Sequence, residues 1–170
     1  MSHTDQNLKL ILFGWVDALR RRDPDRIANR LAEDIVWQGL RRDLVCPNRD
    51  AVLRSIAGSG PIREQAAGIE VTALDDQHVL LGVQVPGVTE FFGEQLDGEI
   101  FDVFTINDGI IVRIDEFKTR DDALAFARSL SATQPEESPR TADAPIPRRP
   151  RHHPGDRCIR LICGLSRRGF

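Results

Sequence analysis

The stretch that decides the fold is EIFDVFTINDGIIVRIDEF, residues 99–117. Two runs rich in Ile, Val and Phe flank an Asp-Gly dipeptide, which is a strong signal for a tight hairpin turn. These runs are apolar enough to be strands of a core, yet they carry Asp102, Arg113 and Asp115. Charges within such strands indicate either a solvated sheet face or a site that uses them.

The turn decides which face of the hairpin carries these charges. If the turn has two residues, counting back along both strands places Asp102 opposite Asp115 and Phe104 opposite Arg113, all on one face. If residues 107–109 form a three-residue loop with a glycine bulge, the pairing shifts by one position. Asp102 and Asp115 then lie on opposite faces. The residues alone favour neither register.

The rest of residues 1–130 predicts helices before and after a series of strands. Apolar residues at helical spacing, Asp and Asn caps, and Gly or Pro at the ends mark the helices. The predicted helices are 8–23, 23–34, 48–58 and 119–130, and the predicted strands are 35–40, 68–75, 78–85, 99–106 and 109–117. Helices first and consecutive strands afterwards predict an α+β fold and not a parallel α/β fold.

The distribution of charge divides the chain into two parts. Residues 131–170 hold eight Arg against two Glu and two Asp, a sum of +4, so the total of −3 leaves −7 for residues 1–130. Six of the ten prolines also lie in residues 131–170, and this composition is typical of disorder. We therefore predict one domain in 1–130, a disordered Pro/Arg-rich tail in 131–170, and no nucleic-acid partner for the acidic domain.

Several classes of protein are excluded by what the sequence lacks. It has no apolar run of the roughly 18 residues that a membrane-spanning helix needs, and its N-terminus does not resemble a signal peptide. We therefore expect a cytoplasmic protein without membrane contact. Three cysteines are too few for a disulfide framework. Because the chain shows neither a glycine-rich phosphate loop nor metal-ligand spacing, we expect no cofactor and no metal.

Residues 10–37, the hairpin 99–117 and the helix entered through KTRDDALAF resemble the nuclear-transport-factor-2-like superfamily, particularly its SnoaL-like branch. The resemblance covers about residues 8–130. It implies a cone-shaped fold, in which N-terminal helices pack on a strongly curved antiparallel sheet that encloses a pocket. Members include ketosteroid isomerases, limonene epoxide hydrolases, scytalone dehydratases, polyketide cyclases and proteins without catalysis.

The resemblance implies binding of a small hydrophobic molecule. The protein would be either a cofactor-free acid–base enzyme of the isomerase, cyclase, dehydratase or hydratase type, or a non-catalytic ligand-binding or dimerisation module. A fold of this kind does not decide between them. The number of polar groups that converge inside the pocket would distinguish the two, since catalysis needs several.

The resemblance also implies roles for the charged residues of the hairpin. The acid that hydrogen-bonds the oxyanion in ketosteroid isomerases lies at the position of Asp102, and an acid that acts on the epoxide oxygen in limonene epoxide hydrolases lies at that of Asp115. Both face the pocket in their families, which supports the two-residue turn. Two carboxylates opposite each other repel, so one would donate a proton and the other act as base. Arg113 could bind an anionic group of the substrate.

Other residues are expected to bind the substrate as part of the pocket lining: Trp15, Trp37, Phe104 and Gln84. The chain also departs from both enzyme families. The isomerase tyrosine falls at Trp15 and the isomerase base falls near Gly39, while the strand LLGVQV lacks the Arg and Asp of the epoxide hydrolases. The specific mechanisms of those two families are therefore not expected here.

Two expectations concern the surface. His78 lies beside the turn residues Asp-Asp-Gln and is expected to be exposed. A curved open sheet exposes apolar residues, and we expect the outer face to include Phe101, Val103, Val112 and Ile114. These residues would join two copies into a homodimer through the sheet.

Overall fold

A computed structural model describes residues 2–58 and 65–133 of the 170-residue chain. The helical elements are α1 (His3–Lys9), a π-helical segment (Leu10–Val16), α2 (Asp17–Arg21), α3 (Pro24–Ala28), α4 (Arg49–Gly58) and α5 (Arg120–Thr133). The strands are β1 (Leu31–Gln38), β2 (Val45–Cys46), β3 (Gly68–Ala73), β4 (His78–Gln84), β5 (Glu90–Phe91), β6 (Glu94–Gln95), β7 (Glu99–Asn107) and β8 (Ile110–Phe117).

Six strands form one open sheet in the order β2-β1-β8-β7-β4-β3, and β5 and β6 form a separate hairpin. The α+β class is confirmed. One detail of the expected sheet is wrong, since β1 pairs with β8 in parallel and the sheet is therefore mixed. The tail predicted for 131–170 lies outside the described residues from position 134 onward, and α5 continues three residues past the predicted end of its helix.

The N-terminal helix is continuous through α1, the π-helical segment and α2. The N–H of Asp17 donates to the carbonyl of Leu12, five residues back, which is the wide spacing of a π-helix. Ile11, Trp15 and Val16 of this segment are buried, and Phe13 is 58% exposed.

β1 begins four residues earlier than predicted, at Leu31, and α3 is correspondingly shorter than the predicted helix 23–34. Leu31 pairs with Ile111 of β8, and the N–H of Ile111 donates to the carbonyl of Arg30 over 2.8 Å. Pairing with a distant strand therefore overrides the local helical signal of this segment.

The sheet is buried on both faces. Its inner face, which packs on the N-terminal helices, contributes these residues to a core with Ile11, Trp15 and Ile27: Val79, Leu81, Phe104, Ile106, Ile111 and Ile114. Its outer face is covered by α5, and there Leu80, Phe101 and Val103 pack on Ala123 and Ala127. A third cluster (Val85, Val88, Leu96 and Ile100) continues the core at one end of the sheet, against Leu40 and Phe91.

This division corrects the expected outer face in two ways. Ile114 lies on the inner face, within the main core. Phe101 and Val103 do lie on the outer face, but α5 of the same chain covers them. Arg120 at the start of α5 forms an ion pair with Glu70 of β3, whose N–O distance is 2.8 Å.

The hairpin 99–117 has a two-residue turn, followed by a shift in register. Asp108 and Gly109 have φ angles of 49° and 75°, as a type I′ turn requires, and Asn107 pairs with Ile110. Ile106 then pairs with Ile111, but Thr105 pairs with Arg113, so Val112 has no counterpart on β7. This extra residue is a β-bulge, and beyond it every side chain of β8 lies on the face opposite to the predicted one.

His78 is buried, with 4% of its surface exposed, so the expectation of a surface histidine is wrong. Its Nδ1 lies 2.8 Å from Oδ2 of Asp75, whose carboxylate also accepts hydrogen bonds from the backbone N–H groups of Gln77 and His78. The hydroxyl of Ser131 in α5 donates to the same carboxylate over 3.0 Å. Asp75 therefore ties the β3–β4 turn to the C-terminal helix.

Within residues 2–58 and 65–133, no helix combines the length and the apolar character that crossing a bilayer requires.

Replacing Asp75 by Asn should lower the free energy of unfolding near neutral pH by about 1–2 kcal/mol. If the amide oxygen of Asn keeps the hydrogen bonds from the backbone N–H groups of Gln77 and His78, its NH2 group replaces Oδ2 and cannot accept those from the side chains of His78 and Ser131. The expected loss of stability is in the lower part of the range for hydrogen bonds to a charged group, because the Asp75 side chain is 36% exposed. Urea unfolding measures the effect, and Asp108→Asn, which removes the same charge at the β7–β8 turn, is the matched control.

The effect of Asp75 should depend on pH. Burial raises the pKa of Asp75, but hydrogen bonds from Gln77 and His78 lower it by more, so the net pKa lies below its ordinary value. The stabilisation is therefore present above about pH 4 and is lost as the pH falls through the folded-state pKa. A difference between wild type and Asp75→Asn that stayed constant down to about pH 2 would contradict this assignment.

Candidate functional site

Asp102 lies on the inner face of the sheet, at the junction of two apolar clusters. Along β7 its neighbours on that face are Phe104 of the main core and Ile100 of the third cluster. Across the sheet it is paired with Leu81 of β4 and with Glu116 of β8. Asp102 is 8% exposed. A carboxyl group whose neighbours on this face include Phe104, Ile100 and Leu81 is an unusual component of a core.

Glu116, and not Asp115, is the acid opposite Asp102. Its Oε2 accepts a hydrogen bond of 3.2 Å from the backbone N–H of Leu40, which follows β1. A side chain at Gly39 would place its Cβ 3.5 Å from that oxygen and 3.0 Å from the Cβ of Leu44. The glycine therefore allows the loop after β1 to pack closely beside the acid.

Three aromatic side chains occupy the same face. The ring of Trp15 stacks edge-on against Phe104 and Trp37, with centroid distances of 5.4 and 6.1 Å. Trp37 of β1 pairs with Ile114 of β8 and packs against the main core. Its Nε1 is buried and has no hydrogen-bond partner among the residues that the structure describes. The predicted lining residues Trp15, Trp37 and Phe104 are thus brought together.

Arg113 and Asp115 lie on the outer face, opposite Thr105 and Val103. Arg113 donates two hydrogen bonds to Asp115, Nε to Oδ2 over 2.6 Å and Nη2 to Oδ1 over 2.7 Å. The Asp115 side chain is 4% exposed and that of Arg113 is 42% exposed. The hydrogen bonds to Asp115 raise the pKa of Arg113 above its ordinary value. The pair is a structural ion pair at the edge of the core.

The predicted carboxylate pair Asp102–Asp115 is therefore not formed. The hairpin does have the two-residue turn that the resemblance favoured. The bulge at Val112 nevertheless places Asp102 and Asp115 on opposite faces, which was the arrangement expected for a three-residue loop. The signal for Glu116 was present in the sequence, since it is the next residue after Asp115. A register shifted by one residue on β8 would have placed Glu116 opposite Asp102.

Gln84 is also separated from the inner face. It is the last residue of β4, lies opposite Glu99 and Gly68, and is exposed. Together with Pro86 and Thr89 it lines a surface depression of about 540 Å³. The structure does not bring Gln84 together with the aromatic residues or with Asp102.

Two loops approach each other near the end of the inner face where Glu116 lies. Leu40 and Phe91 both pack on the third cluster, and Arg41 donates a hydrogen bond of 3.3 Å to the carbonyl of Phe92. Phe92 has a φ of 50°, a conformation that bulky residues rarely adopt. Strain of this kind is often found where a segment serves a function.

The described ranges 2–58 and 65–133 contain no group of three or more His, Cys, Asp or Glu side chains placed to hold a metal ion.

A double-mutant cycle would measure the Arg113–Asp115 pair. Asp115→Asn and Arg113→Gln should each lower the free energy of unfolding by about 1–3 kcal/mol, because each leaves the other group without its partner. The coupling energy should be about 1–2 kcal/mol, reduced from that of a fully buried pair by the exposure of Arg113.

The exposed pair Arg41–Asp43, with side chains 41% and 58% exposed, serves as the control. Its coupling should stay below about 0.5 kcal/mol. Equal coupling in the two pairs would contradict a structural role for Asp115.

Comparison with known proteins identifies the family. A family model described as a SnoaL-like domain matches residues 13–114. The fold is similar to a proposed polyketide cyclase from Xanthomonas campestris pv. campestris, at 22% identity and a TM-score of 0.52, covering 73% of this chain and 98% of that one. It is also similar to Bal32a from a soil-derived mobile gene cassette, at 18% identity and a TM-score of 0.54, covering 72% and 95%. A search of curated proteins finds no significant match. Since the family model spans more than half of the chain, the protein belongs to the SnoaL-like domain family.

Proposed function

We propose that the inner face binds a small, mostly hydrophobic molecule and that Asp102 and Glu116 carry out acid–base chemistry on it. The observation that carries the proposal is the direct pairing of these two acids across β7 and β8, between two apolar clusters. The reaction would be of the isomerase, cyclase, dehydratase or hydratase type, without a cofactor. Membership of the SnoaL-like family and the likeness to a proposed polyketide cyclase support this class.

The geometry suits proton transfer. Side chains directly opposite on antiparallel strands have Cβ atoms about 4.5–5.5 Å apart, so a small molecule can contact both. Asp102 is the more deeply buried of the two acids, and Glu116 already accepts a hydrogen bond from the N–H of Leu40. Burial favours a protonated acid, and a donated hydrogen bond favours a carboxylate. We therefore assign the role of proton donor to Asp102 and that of base to Glu116.

The other predicted site residues are divided between the two faces. Trp15, Trp37 and Phe104 keep their proposed role of contacting the ligand, since they share the inner face with both acids. Asp115, Arg113 and Gln84 lie on the outer face, and the proposal gives them no contact with the ligand.

The proposed entrance lies at the two loops near Glu116. The hydrogen bond from Arg41 to the carbonyl of Phe92 is exposed, so water can replace it when the loops separate. The β5–β6 hairpin is short and belongs to a separate two-stranded sheet. Movement of this hairpin would open the third cluster without breaking the main sheet.

The chemistry can be tested with 2-tetralone, a small ketone that exchanges the protons beside its carbonyl. In heavy water Glu116 would remove such a proton and a deuteron would replace it, which proton NMR follows. Asp102→Asn and Glu116→Gln should each lower the protein-catalysed rate by about 10²- to 10⁴-fold. Asp115→Asn, on the outer face, should keep the wild-type rate.

The competing function is that of a non-catalytic ligand-binding or dimerisation module. It predicts that 2-tetralone binds to the wild type without faster exchange, and that Asp102→Asn and Glu116→Gln leave the exchange rate unchanged. That result would remove the acid–base part of the proposal and keep the binding part.

The proposal includes a homodimer formed through the outer face, in a protein of the cytoplasm. Because α5 covers Phe101 and Val103, the surface available to a second copy is smaller than the sequence predicted. It consists of the part over β1 and β8, where Val36 lies opposite Arg113 and both side chains are partly exposed.

Val36→Arg should convert the dimer into a monomer, because it places a second cation beside Arg113 in the proposed interface. Sedimentation velocity at tens of micromolar protein measures the change. Phe13→Arg, which alters an exposed apolar residue on the helical side, should leave the dimer intact. A monomeric wild type under these conditions would contradict the proposed assembly.

A further inference from the structure

We infer that the indole N–H of Trp37 donates a hydrogen bond to the bound molecule and selects neutral ligands that present an oxygen acceptor. A carbonyl or ether oxygen on an otherwise apolar body meets this requirement. The inference rests on the proposed function, because it concerns the ligand of the same inner face. It adds a specificity-determining residue and a chemical class.

The starting observation is a buried donor. Nε1 of Trp37 is buried and has no hydrogen-bond partner among the described residues. Buried polar groups are nearly always paired, because leaving one unpaired costs the free energy of removing it from water. The indole N–H can only donate, so the missing partner must be an acceptor.

The position of the indole favours a ligand as that partner. Trp37 lies on the same face as Trp15 and Phe104, and it pairs with Ile114, two residues before Glu116. The edge-on contact with Trp15, at an interplanar angle of 73°, holds the plane of the ring. A held ring cannot turn its N–H toward another acceptor, so the donor is already oriented when a ligand arrives.

The two acids restrict the charge of the ligand. Asp102 and Glu116 share this face with the indole, and a second anion placed between them would be repelled. A cation would pair with the acids but would give the indole no lone pair to accept its hydrogen. A neutral oxygen satisfies the donor without meeting this repulsion.

The 170-residue chain contains two tryptophans, so its nitrogen-15 NMR spectrum should show two indole signals. Trp37→Phe and Trp15→Phe assign them. Adding 2-tetralone should move the Trp37 proton signal downfield, as a new hydrogen bond does. Adding tetralin, which has the same rings without the carbonyl, should not produce this shift.

Affinity gives a second readout. Trp37→Phe keeps an aromatic ring and removes the donor, so it should weaken binding of 2-tetralone by about 3- to 10-fold more than it weakens binding of tetralin. Trp15→Phe, the matched control, alters packing at the same place and should affect both compounds alike.

Three outcomes would overturn the inference. If Trp37→Phe weakens both compounds equally, or if the wild-type indole signal does not respond to 2-tetralone that binds, the donor role is wrong while the proposed acid–base site still stands. If neither compound binds to the wild type, the proposed ligand site fails and the inference fails with it. The wild-type signal decides the matter even if Trp37→Phe does not fold, since Trp15→Phe alone assigns the spectrum.

Discussion

Side chains alternate between the two faces of a β-strand. In the β7–β8 hairpin the pairing shifts by one residue at Val112, which has no partner on β7, so the faces of all later β8 side chains are exchanged. Without this β-bulge, Arg113 and Asp115 would lie beside Phe104 on the inner face, and Glu116 would lie on the outer face. The core would then have to bury an ion pair that now keeps its cation partly exposed. One unpaired strand residue therefore separates a structural ion pair from the two acids of the candidate site.

Much of the fold could be predicted because it depends on local patterns. Hydrophobic spacing gave most helices and strands, and the Asp-Gly turn was predictable because both its residues need positive φ. The bulge could not be predicted in this way, since Val112 is an ordinary strand residue with no glycine beside it. The burial of His78 could not be predicted either, because its partner Asp75 is also bound by Ser131, which lies 56 residues away in the sequence.

The candidate site shows the same division between local and distant causes. The structure brings Trp15, Trp37 and Phe104 together as the sequence predicted, because the helix and the two strands that carry them had all been identified from local patterns. Which acid lies opposite Asp102 depended on the pairing between strands, and the resemblance had placed Asp115 there where the structure places Glu116. A functional residue of one family member can be assigned to a position in another only where the two proteins have the same strand register.

The aromatic content of the chain has a consequence for spectroscopy. The sequence contains no tyrosine, and its two tryptophans lie with ring centroids 6.1 Å apart on the inner face. Nearly all ultraviolet fluorescence of this protein must therefore originate from one pair of indoles, close enough to exchange excitation energy. The colour and intensity of that emission depend on how much water and how many charges surround the pair. Tryptophan fluorescence therefore reports on the environment of the inner face, where the two acids lie beside the apolar core.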